Sequence, residues 1–237
     1  MNRMPLRDAL KETRDTLAGL GDEATREAQH LLTACLNIPL IAQHTEPERL
    51  INAQQIDKLR AWAARRASGE PLAYLTGRRE FWSLEFAVTP DVLVPRPETE
   101  LLVERILCHG DELAKRLENG NSTSIRVADL GTGSGIIAIT VAHERPDWLC
   151  TAVDVSSKAL AIAAENAQNL VAGRVTLRHG SWFEPLADQH FDVIASNPPY
   201  VDSEDPVLNG DSLAFEPLLA LTAGPDALAA LNHLIEQ

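Results

Sequence analysis

Cysteines are few, and none of them stands at a spacing that a metal site or a disulfide framework would use. The three cysteines, Cys35, Cys108 and Cys150, are far apart and odd in number. Zinc-type sites draw on closely spaced cysteine and histidine pairs, and small secreted folds draw on even sets of cysteines. The sequence therefore predicts no metal ion and a reducing compartment, the cytoplasm.

Long apolar runs are missing as well. Residues 1–20 mix Arg, Asp, Lys and Glu among their leucines, so they lack the apolar core of a signal peptide. No stretch approaches the ~20 apolar residues that a membrane-spanning helix needs. We therefore expect no membrane partner.

Basic residues are in the minority, with 21 Lys and Arg against 34 Asp and Glu and a formal net charge of -13. General nucleic-acid binders neutralise phosphates with patches of Lys and Arg. The acidic balance therefore predicts no direct binding to nucleic acid. It would suit a basic protein partner, although a role in solubility explains it equally well.

Residues 1–73 are predicted to form a small N-terminal bundle of helices. Apolar side chains recur at helical spacing throughout residues 5–68, and Asp22 is placed to cap the second helix. Nothing in this part of the sequence carries recognisable site chemistry. A substrate-docking role is assigned to the bundle by association alone.

Residues 74–97 are predicted to form a β-hairpin linker, because aromatic and β-branched residues replace the helical pattern. The stretch Pro95-Arg-Pro-Glu-Thr-Glu100 follows, and its prolines fix the backbone around Arg96. Its second proline can open a helix, with Glu98 favourable near the positive end. The stretch is either a linker with a helix start, or a rigid wall that presents Arg96 and Glu98 to a pocket.

Residues 98–237 are predicted to form an α/β domain, a parallel sheet with helices on both faces, because strand and helix patterns alternate. The predicted strands are residues 125–130, 150–155, 174–178 and 191–196, and the predicted helices are 136–144, 157–170 and 225–237. Residues 110–124 are predicted to be a surface connection. The carboxyl ends of such strands are where open α/β sheets bind their ligands.

A glycine-rich turn follows the first of these strands, in Asp129-Leu-Gly131-Thr132-Gly133-Ser134-Gly135. Glycines let the backbone turn sharply and approach a ligand closely. The dinucleotide fingerprint would need a glycine where Ile136 stands, and Asp129 would repel a phosphate. A ligand with a carboxylate, a cation and a ribose fits better, and S-adenosylmethionine has these groups. We predict that Asp129 and residues 131–135 bind this cofactor.

The ends of the next two strands extend the predicted cofactor site. Asp154 can accept hydrogen bonds from both ribose hydroxyls, although a helix cap explains this residue taken alone almost as well. Trp182 can pack flat on an adenine and Ser181 can meet its edge. Trp182 and Phe183 would also suit the hydrophobic core.

The last predicted strand ends in Asn197-Pro198-Pro199-Tyr200, which carries the predicted catalytic chemistry. Two successive prolines donate no backbone hydrogen bonds and hold their predecessors out of the helical region. The Asn197 side-chain oxygen and the Pro198 carbonyl would then be two fixed acceptors for one –NH2 group. Taken alone, the tetrapeptide is better explained as a stiff turn, and the motifs elsewhere in the chain favour the catalytic interpretation.

The glycine loop, Asp154 and the tetrapeptide together resemble class I S-adenosylmethionine-dependent methyltransferases that methylate planar amino groups, with their Rossmann-like fold. The resemblance becomes specific to one family of these enzymes when the order of further motifs is included. These are Gly69-Glu-Pro-Leu-Ala-Tyr-Leu75, Pro95-Arg-Pro-Glu-Thr-Glu100 and Phe215-Glu-Pro217. In this order the chain resembles the bacterial peptide chain release factor N5-glutamine methyltransferases over nearly its whole length.

This resemblance implies that the substrate is the glutamine of a Gly-Gly-Gln loop in a release factor, methylated on its side-chain nitrogen. Asn197, also placed beside the cofactor, and Pro198 would accept the two amide N–H bonds, and Tyr200 would pack on the flat amide. Pro199, Arg96 and Glu98 are assigned to substrate binding. We expect a monomer and assign no histidine to the chemistry.

Two features depart from the family pattern. The family usually has Asp at the position of Ser181, and a hydroxyl accepts more weakly from an adenine amine. The family fold also continues with three more strands, whereas this chain stops at Gln237. We therefore expect the last predicted strand to be an exposed sheet edge in a truncated or naturally shortened methyltransferase domain.

Two alternative functions stay open at this point. An adenine-N6 DNA methyltransferase would share the tetrapeptide but should carry a basic target-recognition region. A non-catalytic binding protein would use the helical bundle to hold a partner and would keep an incomplete methyltransferase body. Such a body should not bind S-adenosylmethionine. Cofactor binding would therefore distinguish a methyltransferase from a non-catalytic binding protein.

Overall fold

The computed structural model describes residues 3–117 and 124–236. These residues divide into two compact units, of which the first ends at Thr76 and the second begins at Gly77. Within this described part of the chain, no helix is long and apolar enough to cross a membrane. The division predicted from the sequence, with a docking bundle at 1–73, a linker at 74–97 and a catalytic domain at 98–237, stays a prediction.

The first unit is mainly helical. Its elements are β1 (Arg3–Pro5), α1 (Leu6–Thr16), a 3₁₀ segment (Ala18–Glu23), α2 (Ala24–Leu36), α3 (Ala42–Thr45), β2 (Leu50–Asn52), α4 (Ala53–Ala67) and α5 (Leu72–Thr76). Buried aliphatic residues of α1, α2 and α4 form its core, among them Leu6, Leu31, Leu32, Ile56 and Leu59. The Asn52 side chain and Gln55 cap α4 reciprocally, each accepting from the backbone N–H of the other.

Two expectations for this unit were wrong. Residues 5–68 are not helical throughout, because β2 pairs antiparallel with β1. Asp22 does not cap α2, because it lies inside the 3₁₀ segment, where Gly21 has φ 58° and ψ -129°, and Glu23 precedes the helix. A glycine accepts that backbone conformation and lets the chain kink there.

The second unit contains an antiparallel hairpin and a parallel sheet with helices. Its elements are β3 (Arg78–Phe81), β4 (Leu84–Ala87), α6 (Thr99–Leu117), β5 (Arg126–Leu130), α7 (Ile136–Glu144), β6 (Leu149–Asp154), α8 (Ser157–Val171), β7 (Thr176–His179), β8 (Val193–Ser196), α9 (Leu218–Leu221) and α10 (Ala229–Glu236). Short 3₁₀ turns lie at Glu184–Leu186, Pro206–Asn209 and Asp211–Phe215. The predicted surface connection at 110–124 is wrong for residues 110–117, which continue α6, and its residues 118–123 lie outside the described part.

The sheet has the order β7-β6-β5-β8, with every neighbouring pair parallel. Successive residues of its central strands point to opposite faces. Val127 and Ala152 pack with α6, α7 and α8, whereas Ala128 and Val153 pack with Leu186 and with residues around it. The predicted α/β fold, a parallel sheet with helices on both faces, is therefore confirmed.

Strand β8 lies at one edge of this sheet. Among the described residues it pairs with β5 alone, so its other hydrogen-bonding edge carries no strand. This agrees with the expected exposed edge. The chain leaves β5 towards β6 on one side and reaches β8 on the other, so the carboxyl end of β5 is a topological switch point.

Candidate functional site

A cavity of about 370 Å³ opens at the carboxyl ends of the parallel strands. This volume falls within the about 300–1,000 Å³ that is usual for small-molecule pockets. Ten of the residues singled out from the sequence line it: Arg96, Gly131, Thr132, Gly133, Ser134, Asp154, Ser181, Trp182, Asn197 and Pro199. The remaining five, Asp129, Gly135, Pro198, Tyr200 and Glu98, are not among its lining residues.

The glycine loop wraps the cavity because its backbone takes conformations that few other residues accept. Gly133 and Gly135 have φ angles of 57° and 88°. A Cβ on Gly135 would lie 2.5 Å from Cδ1 of Ile139. Because side chains other than glycine rarely adopt a φ of 88°, a substitution of Gly135 would strain the start of α7, although Gly135 does not line the cavity.

Asp154 stands at the end of β6 and fixes the glycine loop. Its Oδ2 accepts from the Gly133 N–H at 2.8 Å and its Oδ1 accepts from the Ser156 N–H at 2.8 Å. The side chain that caps α8 is that of Ser156, which accepts from the Ala159 N–H at 3.2 Å. An ionised carboxylate has about four acceptor positions, so Asp154 keeps capacity for two hydroxyls of a bound ligand.

Asp129 lies beneath the loop and is completely buried. Its Oδ2 accepts from the Thr132 hydroxyl at 2.5 Å and from the Ala138 N–H at 3.2 Å. Its Oδ1 has no partner among the described residues. Burial raises the pKa of Asp129 to about 6, against the smaller opposing effect of these hydrogen bonds. Asp129 therefore holds the loop from below, and its direct contact with a cofactor stays a prediction.

Trp182 both lines the cavity and packs against the hydrophobic core, and its stacking on an adenine stays a prediction. It lines the cavity, where its Cζ3 would lie 3.7 Å from a Cβ placed on Gly131. It also packs against the cluster of Ala128, Leu130 and Val153. Ser181 lines the cavity beside it, with its N–H donated to Glu184 at 3.3 Å. An adenine-sized ring could therefore stack on an indole that the core already holds in place.

The Asn-Pro-Pro-Tyr stretch begins where β8 ends. Asn197 is half-buried and lines the cavity, Pro198 is buried, Pro199 lines the cavity, and Tyr200 is 59% exposed. Among the described residues, none donates a hydrogen bond to the Asn197 side chain or to the Pro198 carbonyl. Both predicted acceptors are thus uncommitted, whereas Tyr200 stands at the surface.

Arg96 and Glu98 differ in their placement. Arg96 lines the cavity, but its guanidinium is paired with Glu216, whose side chain is fully buried. Glu98 is exposed. The sequence offered Glu216 only as the middle of a three-residue motif, and nothing in that motif indicated its partner.

Asn166 was not singled out from the sequence, yet it connects three parts of the site. Its Oδ1 accepts from the Ala87 N–H at 2.7 Å, and its Nδ2 donates to the Ala87 carbonyl at 3.0 Å and the Ser134 carbonyl at 2.9 Å. The available signal was a polar residue on the buried face of α8, between Ala163 and Ala167. A buried amide of this kind is normally hydrogen-bonded.

Two family descriptions match the sequence. The description "PrmC N-terminal domain" matches residues 8–77, and "Methyltransferase small domain" matches residues 110–209. A curated protein of Salmonella typhimurium, "Release factor glutamine methyltransferase", is 41% identical over 234 residues, covering 98% of this chain and 78% of its own length. The protein of the same name from Escherichia coli strain K12 is 44% identical over 190 residues, covering 80% of this chain and 65% of its own length.

The solved structures add support for the fold alone. The crystal structure of the hMettl16 catalytic domain matches with a TM-score of 0.51 and 14% sequence identity, covering 80% of this chain and 65% of that one. Together with the match of residues 110–209 to the methyltransferase small domain, this likeness identifies the arrangement of strands and helices as a methyltransferase fold. This chain spans about two thirds of the length of the Escherichia coli relative, since the match covers 65% of that protein.

Proposed function

The chain belongs to the release factor glutamine methyltransferase family, and from this premise we propose that it methylates a release factor. The methyl group would pass from S-adenosylmethionine to the side-chain nitrogen, N5, of the glutamine in a Gly-Gly-Gln loop. The carbon–nitrogen bond forms as the carbon–sulfur bond breaks, and the nitrogen loses one proton to solvent. S-adenosylmethionine supplies the electrophilic methyl group.

The observation that carries this proposal is the sharing of one cavity by two kinds of residue. Asp154 and the glycine loop stand on one side and Asn197 and Pro199 on the other. The first set provides hydrogen-bond acceptors and a glycine backbone that a nucleoside-type cofactor can approach closely. The second set provides hydrogen-bond acceptors for a planar amide. A methyl donor and an amide nitrogen could therefore be held against each other.

The residues on the cofactor side would bind and orient. Asp154 would accept hydrogen bonds from the ribose hydroxyls, and Trp182 would lie against the adenine with Ser181 at its edge. Residues 131–135 would follow the methionine part of the cofactor, supported from below by Asp129. The positions of Asp154, Ser181 and Trp182 in the cavity wall, and the hydrogen bond from the Gly133 N–H to Asp154, support these roles.

The residues on the substrate side would hold the amide still. Asn197 Oδ1 and the Pro198 carbonyl would accept its two N–H bonds, so that the nitrogen lone pair points to the methyl group and growing positive charge is stabilised. Tyr200 would pack on the flat amide when the substrate arrives. Holding both reactants in line at about 3 Å can supply roughly 7–11 kcal/mol of the barrier. A strong base is not required, because the alkylated amide is far more acidic than the substrate.

The partner proposed is the release factor itself, without direct contact to nucleic acid, and the working form proposed is a monomer in the cytoplasm. The lining residues of the cavity all belong to the second unit. The net charge of -13 supports a protein rather than a nucleic-acid substrate. Neither alternative considered from the sequence is favoured by the relatives of this chain.

The test is the intact mass of a release factor after incubation with this chain and S-adenosylmethionine. We expect a gain of one methyl group, located by peptide fragmentation on the glutamine of the Gly-Gly-Gln loop. A release factor carrying Gly-Gly-Ala in that loop is the matched control and should gain nothing. Failure to methylate the unaltered release factor while the chain binds the cofactor would contradict the proposed substrate.

A further inference from the structure

The segment between β8 and the last helix, residues 197–224, is here termed the acceptor loop. Its two ends are tied together, since the Val201 N–H donates to the Leu221 carbonyl at 2.9 Å and the Ser203 N–H donates to the Gly224 carbonyl at 3.0 Å. Between these ties Leu208 is buried, but Leu218 and Leu219 are 61% and 60% exposed, so apolar contacts anchor the loop only in part. A loop of this length needs a further restraint to hold Asn197 in one position.

Glu216 provides that restraint. Its side chain is fully buried, its Oε2 accepts from the Val94 N–H at 3.0 Å, and its Oε1 accepts from the Arg96 guanidinium. A buried carboxylate must be paired and hydrogen-bonded, because the loss of either partner leaves a costly charge out of water. The pairing therefore fixes the acceptor loop to the segment that precedes α6.

Both segments joined by Glu216 line the cavity beside Asn197. Pro95, Arg96 and Thr99 come from the segment before α6 and the start of that helix, and Pro217 and Leu219 come from the acceptor loop. Among the described residues, Glu216 makes side-chain hydrogen bonds to Val94 and Arg96 alone, and none to the glycine loop or to Asp154. Its influence should therefore reach the substrate side of the cavity and leave the cofactor side unaffected.

We propose that Glu216 is a positioning residue for the methyl transfer, and that Arg96 acts as its partner rather than as a direct ligand of the glutamine. The proposal rests on the proposed function, and it deepens that function by assigning the geometry of the substrate side to one buried ion pair. Together the two side chains close the wall against which the amide is held. A displacement of this wall by about 1 Å is enough to cost about 100-fold in rate.

The test compares Glu216→Ala and Glu216→Gln with Asp111→Asn as a matched control. Asp111 is paired with Arg145 at 2.6 Å in the same unit, and neither residue lines the cavity. Three quantities are measured: kcat and KM for the release factor, the affinity for S-adenosylhomocysteine, and amide hydrogen exchange in residues 197–224.

For Glu216→Ala we expect kcat/KM to fall about 100-fold, with faster exchange in the acceptor loop and unchanged affinity for S-adenosylhomocysteine. Glu216→Gln should recover part of the activity, because its amide oxygen can still accept from the Val94 N–H. Asp111→Asn should match the wild type in all three quantities. Loss of cofactor affinity in step with activity would overturn the proposal, since it would indicate general unfolding.

A double-mutant cycle with Arg96→Gln separates the two roles for Arg96. If Arg96 acts through Glu216, the double variant Arg96→Gln/Glu216→Gln should be no worse than either single variant. Additive losses would instead show that Arg96 binds the substrate independently, which would overturn its assignment as a partner. An inactive wild type would count against the proposed function. The positioning role would still be tested in that case, because unchanged amide hydrogen exchange of residues 197–224 in Glu216→Ala would contradict it.

Discussion

The two sides of the cavity are built in different ways. On the cofactor side, the Gly133 N–H donates to the Asp154 carboxylate, and these two residues lie 21 positions apart at the ends of adjacent parallel strands. On the substrate side, Arg96 and Glu216 are joined by an ion pair between residues 120 positions apart. The first side is thus built at the ends of two adjacent strands. The second has Asn197 at the end of β8, but the rest of its wall comes from segments joined by one long-range ion pair.

This difference predicts that the two sides can be damaged separately. Parallel strands place their carboxyl ends together wherever the sheet forms, so the cofactor side should persist as long as the domain is folded. The substrate side depends on a loop with exposed apolar residues such as Leu218 and Leu219. Local opening should therefore affect methyl transfer before it affects cofactor binding.

The largest effect is expected for Asn197→Ala, on the substrate side. The variant removes one of the two acceptors for the amide, which stabilise charge that develops only during transfer. We expect kcat to fall about 100- to 1,000-fold, the usual cost of losing one such preorganised group. Affinity for S-adenosylhomocysteine, measured by calorimetry, should stay close to that of the wild type.

Asn209→Ala is the matched control for that variant, because Asn209 lies in the same loop and is exposed. It should keep wild-type turnover. Equal losses of turnover and cofactor affinity in Asn197→Ala would abolish the separation between the two sides.

A smaller effect, on the opposite side, is expected for Asp154→Ala. Hydrogen bonds to a charged group contribute roughly 1.5–3 kcal/mol, so the dissociation constant for S-adenosylhomocysteine should rise about 10- to 100-fold. At saturating cofactor, kcat should change much less. Asp147→Ala, an exposed aspartate just before β6, is the control and should bind as the wild type does. If Asp154→Ala lowered kcat without changing the affinity for S-adenosylhomocysteine, the assignment of Asp154 to cofactor binding would be wrong.

The sequence predicted the elements that hold the cofactor side, because their signals are local. Helix α7 was predicted with its observed bounds, since a glycine loop precedes it and its apolar residues are contiguous. Residues 110–117 were missed because their charges suggested a loop. In the structure Asp111 pairs with Arg145, and Lys115 and Arg116 stand in the last turn of α6, where positive charge is favourable.

The substrate side was only partly predictable, because it depends on contacts between distant residues. The prolines around Arg96 and after Asn197 indicated rigid backbone, which is a local property. The choice of Glu216 as the partner of Arg96 depends on where the acceptor loop returns, and no periodicity encodes that. Asn166 illustrates the same limit, since its bonds to Ala87 and Ser134 span 79 and 32 positions.

The smallest expected effect concerns stability on the cofactor side, through Asp129. Burial raises its pKa to about 6, above the ordinary value for an aspartate, so the folded state binds this proton more tightly than the unfolded chain does. A raised pKa contributes stability that is complete at low pH and is lost as the pH rises through the folded value. The loss should amount to roughly 2 kcal/mol between pH 4 and pH 7.

Asp129→Asn removes this titration while keeping an oxygen that can accept from Thr132. The free energy of unfolding, measured in urea at pH 4 and pH 7, should therefore shift in favour of the variant, relative to wild type, as the pH rises. Taking the difference between the two proteins cancels the other carboxylates, including Asp111, whose pKa is lowered by its hydrogen bond to Arg145 and which acts in the opposite direction. A difference independent of pH would mean that Asp129 does not carry a raised pKa, and that the unpartnered Oδ1 beneath the glycine loop is solvated or bonded in solution.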